Sequence, residues 1–119
     1  MPTEVVHMFD VPDYDAQVAK GAAALKNGGV VVLPTETVYG AAALLTQSDA
    51  LARLSQLRGG ETSKPVTVHL AGRQEAGRYL GKTSDYANRL MKKLWPGPVG
   101  LLFDVPADRQ AAGFACPRP

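Results

Sequence analysis

Gly28-Gly29-Val30-Val31-Val32-Leu33-Pro34-Thr35-Glu36-Thr37-Val38-Tyr39-Gly40 is the stretch on which the fold of this chain turns. Val30 to Leu33 is a continuous apolar, mostly β-branched run, of the kind found in strands buried on both faces. Gly28-Gly29 stops a preceding helix, and Pro34 ends the strand because it has no N–H to donate. Thr35, Glu36, Thr37 and Tyr39 then crowd two hydroxyls, a carboxylate and a phenol into one short segment. Polar groups at the carboxyl end of a buried strand sit where open α/β sheets bind ligands. Two readings of the cluster stand: a holder for a small polar substrate, or a turn whose Thr and Glu side chains satisfy neighbouring backbone groups.

Outward from this stretch, strand and helix signals alternate. Residues 4–9 read as a short strand, closed by a turn at Asp10 to Asp13 around Pro12. A helix is predicted over 13–27, capped by Asp13, with Val18, Ala22 and Leu25 at helical spacing. Ser48 caps a second helix in which Leu51, Leu54 and Leu57 share a face, and Gly59-Gly60 breaks it. Val66 to Leu70 reads as a strand and 72–80 as a weaker helix. The strongest helix runs from Ser84 to Leu94. Its Ala87, Leu90, Met91 and Leu94 face inward, while Arg89, Lys92 and Lys93 face out, as a solvated face or an RNA contact. Trp95-Pro96-Gly97-Pro98 ends it, and a further strand follows at 99–103. The plan is α/β, a twisted mixed sheet with flanking helices. The small, proline-rich segment 111–119 reads as an unpaired or truncated strand.

The 119 residues fit one domain, and a chain of this size buries roughly two-thirds of its unfolded surface. Hydrophobic residues at 45% and charged residues at 20% exclude disordered and fibrous classes. No apolar run has the length of a membrane span, and Glu4, His7 and Asp10 interrupt any signal-peptide core, so no membrane partner is expected. Cys116 is the single cysteine, which excludes an internal disulfide and points to a cytoplasmic setting. Thirteen Lys and Arg against eleven Asp and Glu leave +2, too little for net charge alone to argue a nucleic-acid partner. His7 has no motif around it and reads as structural.

Four stretches, in order, are similar to one family. Gly28 to Gly40 closely resembles the opening motif of the YrdC-like family, which includes threonylcarbamoyl-AMP synthases. Leu57-Arg58-Gly59-Gly60 follows a leucine-rich helix where the family has a Lys-x-Arg segment. Lys64-Pro65-Val66-Thr67-Val68-His69 resembles its Asn-Pro-Leu-x-x-His strand, and Leu94-Trp95-Pro96-Gly97-Pro98-Val99 its Trp-Pro-Gly-Pro turn. The resemblance is strongest over 16–106, within a single domain of 1–119. It implies an α/β fold around a positively charged cleft, often linked to RNA binding. It also implies a nucleotidyltransferase chemistry in which L-threonine, bicarbonate and ATP, with Mg²⁺, give threonylcarbamoyl-AMP and pyrophosphate for tRNA modification.

Carried over by position, the resemblance places Thr35, Thr37 and His69 on threonine. It places Arg58 and Lys64 on nucleotide or phosphate, with RNA (tRNA or double-stranded RNA) as a further partner. Mg²⁺ is expected with ATP if the chain is active, and no metal site of its own is expected. Arg58 stands where the family has lysine, a planar fork in place of a point charge. Gly60 and Ala115 stand where it has arginines, and Lys64 where it commonly has asparagine. The family's later Ser-x-Asn motif does not occur before Pro119, so the domain reads as C-terminally incomplete. The expected function is a YrdC-like nucleotide- or RNA-binding domain, impaired or incomplete as a catalyst on its own. One alternative is an active synthase fragment completed by residues outside this chain. Another is a phosphate-loop nucleotide hydrolase, from Ala76-Gly-Arg-Tyr-Leu-Gly81-Lys82-Thr83 with Asp104 as the metal aspartate.

Overall fold

The structure, a computed structural model, describes residues 3–59 and 66–105. In chain order it has α1 (Tyr14–Lys26), β1 (Val31–Pro34), β2 (Tyr39–Ala42), α2 (Ser48–Leu57), a 3-10 turn (Arg73–Ala76) leading into α3 (Gly77–Leu80), and α4 (Asp85–Leu94). The class is α/β. Lys64, Gly60, Ala115 and the segment 111–119 lie outside the described residues.

α1 begins one residue later than the sequence suggests. Asp13 is its N-cap, but the carboxylate accepts from Gln17 Nε2 at 2.7 Å instead of capping a backbone N–H. At its other end Asn27 N donates to Ala23 O, Gly28 N to Leu25 O and Gly29 N to Ala24 O, at 3.0, 3.0 and 2.8 Å. These are the crossed bonds of a Schellman ending, which needs a left-handed residue after the cap. Gly28, at φ 80°, supplies it. Gly29 is required for a different reason: a Cβ there would lie 2.8 Å from the Ala24 carbonyl oxygen.

The turn delivers the chain into β1, which pairs antiparallel with β2 in the register Val31↔Ala42, Val32↔Ala41, Leu33↔Gly40, Pro34↔Tyr39. Here the apolar run misleads. Val30 to Leu33 promises a strand sandwiched on both faces, yet Val32 is 67% exposed and its face-mate across the ladder, Tyr39, 68%. The opposite face carries the half-buried Val31, Leu33 and Ala42. Pro34 belongs to the strand and closes the ladder at its last pair, where a missing N–H is tolerated. β2 escapes the sequence reading because Tyr-Gly-Ala-Ala has no β-branched residue; its partner, not its propensity, makes it a strand.

Three predicted strands are not strands among the described residues: 4–9, 66–70 and 99–103 lack ladder pairing. Alternation marks a segment suited to a pleated face, but a strand exists only where a neighbour takes its N–H and C=O groups. The weak helix at 72–80 resolves into the 3-10 turn and the single turn of α3.

Ser48 is the first helical residue of α2, not its cap; that position is Gln47. Ala50 and Leu54 are buried, Leu51 is half-buried and Leu57 is 72% exposed, so the inward stripe is narrower than three leucines suggest. α4 conforms to its reading. Ser84 Oγ accepts from Ala87 N at 3.1 Å, Asp85 sits in the first turn, and Lys92 and Lys93 sit in the last, each favourable to the helix dipole. Met91 is buried, and Ala87, Leu90 and Leu94 are half-buried. Beyond it, Trp95 Nε1 donates to Val99 O at 2.7 Å and closes the proline-rich turn; a Cβ on Gly97 would lie 2.9 Å from the Leu94 carbonyl oxygen.

Substitutions at the α1–β1 turn and the α4 cap test this account by chemical denaturation. Gly28→Ala should cost about 1–2 kcal/mol, from the left-handed φ alone. Gly29→Ala should cost about 1–3 kcal/mol through its backbone clash. Ser84→Ala should cost about 1 kcal/mol, the worth of a helix cap. A neutral Gly29→Ala would contradict the tight turn described here.

Candidate functional site

The hairpin loop Thr35–Val38 carries the polar cluster, and one hydroxyl organises it. Thr35 Oγ1 donates to Val38 O at 2.5 Å and accepts from Thr37 N at 3.3 Å and Val38 N at 3.2 Å. A threonine hydroxyl has one proton and two lone pairs, so these bonds commit it fully. Thr35 therefore satisfies the turn reading of the motif. Thr37 Oγ1 lies 3.4 Å from Thr35 Oγ1, too long for a firm bond, and its side chain is exposed. The Glu36 carboxylate is exposed as well. The loop thus holds one locked hydroxyl and presents a second, outward-facing one.

The other expected site residues are spread along the chain. Arg58 is the C-cap of α2 and half-buried; its N–H donates to Leu54 O and Ser55 O, both at 3.2 Å. His69 is exposed in the irregular segment before the 3-10 turn. Neither side chain forms a hydrogen bond or ion pair with another described residue, and the structure links neither to the threonine loop by such a contact. Two open concavities are formed instead around α4 and α3, and the Thr35–Tyr39 loop lines neither.

The sequence reading also missed Arg53. From α2 its guanidinium donates to Gly28 O, and Gln47 Nε2 reaches Lys26 O at 3.2 Å. Both carbonyls belong to the end of α1, where helical acceptors run out. The signal was available in outline: a cation on a helix that follows a Gly-Gly helix stop.

The phosphate-loop alternative fails on backbone geometry. Such a loop needs free N–H groups around an anion. Here Gly77 to Leu80 is a helical turn, and Gly81 N donates to Gly77 O at 3.2 Å. Thr83 Oγ1 donates to Asn88 Oδ1, and among the described residues no strand leads directly into the segment and Asp104 lies outside any strand.

An α/β domain in which a helix, a Gly-Gly turn and a strand present a Thr-Glu-Thr loop defines the class. The chain belongs to the Sua5/YciO/YrdC family, described as telomere recombination, with residues 23–117 matching. It is 35% identical over 94 residues to the threonylcarbamoyl-AMP synthase of Bacillus subtilis, covering 79% of this chain and 27% of that protein. It is 34% identical over 98 residues to a putative threonylcarbamoyl-AMP synthase of Mycobacterium leprae (80% and 44%) and 33% identical over 95 residues to that of Halorhodospira halophila (80% and 49%). The chain thus spans between about a quarter and a half of the length of these relatives. No solved structure matches. No helix among the described residues is long and apolar enough to cross a membrane.

The two loop threonines should separate in denaturation experiments. Thr35→Val removes three loop bonds and should cost about 1–2 kcal/mol. Thr37→Val removes only a long contact and should lie within about 0.5 kcal/mol of the parent. Equal effects would mean that Thr35 does not organise the loop.

Proposed function

We propose that this chain supplies the L-threonine and nucleotide recognition of a threonylcarbamoyl-AMP synthase-like domain, and that alone it turns over poorly. The observation that carries the reading is the Thr35–Val38 loop. Thr35 fixes its backbone and leaves the Thr37 hydroxyl exposed, in a chain 35% identical to a relative named threonylcarbamoyl-AMP synthase. Thr37 and His69 contact the amino acid, and Thr35 acts as a positioning residue through the loop. Arg58 and Lys64 meet the phosphates of ATP, and tRNA or double-stranded RNA is the further partner.

The chemistry sets what such a domain must do. A carbamate oxygen formed from threonine and bicarbonate attacks the α-phosphorus of ATP, the bond to the bridging oxygen breaks, and pyrophosphate leaves. Catalysis consists of aligning the two reactants and neutralising charge on the leaving group. Mg²⁺ would arrive bound to the ATP phosphates, as this ion commonly does. Poor turnover follows from Gly60 and Ala115, which offer no charge where the family pattern has arginine.

Calorimetric titration and a pyrophosphate assay test the reading on the 119-residue chain. Threonine should bind weakly, with binding lost in Thr37→Val and reduced in His69→Ala. ATP binding should weaken with salt and in Arg58→Ala and Lys64→Ala. Threonine-dependent pyrophosphate release should stay near background. Turnover comparable to a full-length relative would overturn the claim of poor catalysis, and absence of threonine binding would overturn the recognition claim.

A further inference from the structure

The α1–β1 turn carries a reactive pair that the threonine motif does not use. Asn27 is followed by Gly28, the one Asn-Gly step in the chain; the other asparagine, Asn88, precedes Arg89. An asparagine side chain reacts with its own main chain when the nitrogen of the next residue attacks Cγ. A glycine there has no Cβ to crowd that nitrogen. The Asn27 side chain is exposed to water, whereas Gly28 is buried.

The folded turn opposes this reaction twice. Gly28 N, the nucleophile, is held as a donor to Leu25 O at 3.0 Å. Asn27 stands at φ −84° and ψ 11°. Closing a five-membered ring needs Cβ and Gly28 N nearly eclipsed about the Cα–C bond, at a ψ of about −120°, outside the main regions open to an L-residue. Rotating ψ that far breaks the bonds from Gly28 N to Leu25 O and from Gly29 N to Ala24 O, so ring closure requires the helix ending to open. α2 braces the ending against such opening: the Arg53 guanidinium donates to Gly28 O, and Gln47 Nε2 donates to Lys26 O at 3.2 Å.

We propose that Asn27–Gly28 is a deamidation site, held shut by the helix ending and by Arg53, whose reaction with water loosens α1 from β1. When the turn opens, hydroxide takes the Gly28 amide proton, the nitrogen bonds to Asn27 Cγ, and the Cγ–Nδ2 bond breaks to release ammonia. Water then opens the cyclic imide at either carbonyl and leaves aspartate or isoaspartate at this position. The sum is an amide and water giving an acid and ammonia. Either product puts a carboxylate at the carbonyl end of α1, where the helix dipole disfavours it. Isoaspartate also adds a methylene to the main chain, so the crossed bonds of the ending lose their register. The site lies apart from the threonine and nucleotide residues and does not rest on the reading proposed for them.

The test is peptide mapping by mass spectrometry after incubating the full chain in mildly alkaline buffer, with and without urea. In urea Asn27 should convert to aspartate and isoaspartate while Asn88 stays intact. In buffer alone the conversion should be at least about tenfold slower, the mark of a locally closed turn. Arg53→Ala should speed conversion in buffer by about fivefold or more and leave the rate in urea unchanged, because the Gly28 carbonyl loses its charged donor. Gln47→Ala, which removes the other brace, should give an increase of about twofold or more. Circular dichroism checks that both variants fold. Hydrogen exchange at Gly28 and Gly29 should quicken in step with conversion while the α4 amides keep their rates, which separates opening of this turn from global unfolding. Asn27→Asp, which installs the product charge, should lower the denaturation midpoint, and salt should lessen the loss. Equal conversion in buffer and in urea, an intact Asn27 in urea, or no acceleration in either brace variant would overturn the proposal.

Discussion

Capture of the α1 carboxyl-end carbonyls by α2 is the contact on which the rest of the described structure depends. A helix ends with carbonyls that have no partner, and burying them unpaired is costly. Gly28-Gly29 folds two N–H groups back onto Leu25 and Ala24, while Arg53 and Gln47 take the oxygens of Gly28 and Lys26. One turn thereby sets where α1 stops and where β1 starts, and ties both to α2 through Arg53 and Gln47. Neither glycine is replaceable for free, one because of its φ and the other because of the Ala24 carbonyl.

The hairpin that leaves this turn converts backbone order into a presented hydroxyl. Antiparallel pairing from Val31↔Ala42 to Pro34↔Tyr39 leaves a four-residue connection, 35–38, whose inner polar groups need partners. Thr35 supplies three of them, Thr37 N, Val38 N and Val38 O, while the Thr37 side chain is exposed. In the proposed function the same motif is both a structural turn and a recognition element. The division falls between two threonines two residues apart.

Charge is distributed with the same economy of elements. α4 uses Asp85 at its start and Lys92 and Lys93 at its end in favour of its own dipole, and the same lysines lie with Arg89 on its exposed face. Solvation alone accounts for any one of these side chains. Of these cations only Lys92 shares a concavity with Arg73, across the space between the 3-10 turn and α4.

The sequence by itself determined the helices and the family. α4 was legible almost to the residue, because Ser84, the apolar spacing and the Trp-Pro-Gly-Pro stop are local signals that act within a few residues. Gly28-Gly29 was legible as a helix stop for the same reason, and the motif around Thr35 carried the resemblance. The tertiary structure alone decided which apolar segments became strands. β1 is exposed on one face despite its β-branched run, and β2 exists despite weak propensity. The segment 66–70 alternates and 99–103 is largely apolar, yet neither pairs in a ladder among the described residues. Side-chain pattern records what a segment can bury, whereas a strand is made by hydrogen bonds to a neighbour that the pattern does not name. The site divides in the same way. Its residue types stood in the sequence, but the roles of Thr35 and Arg53 emerged only once the backbone groups they satisfy had been brought beside them.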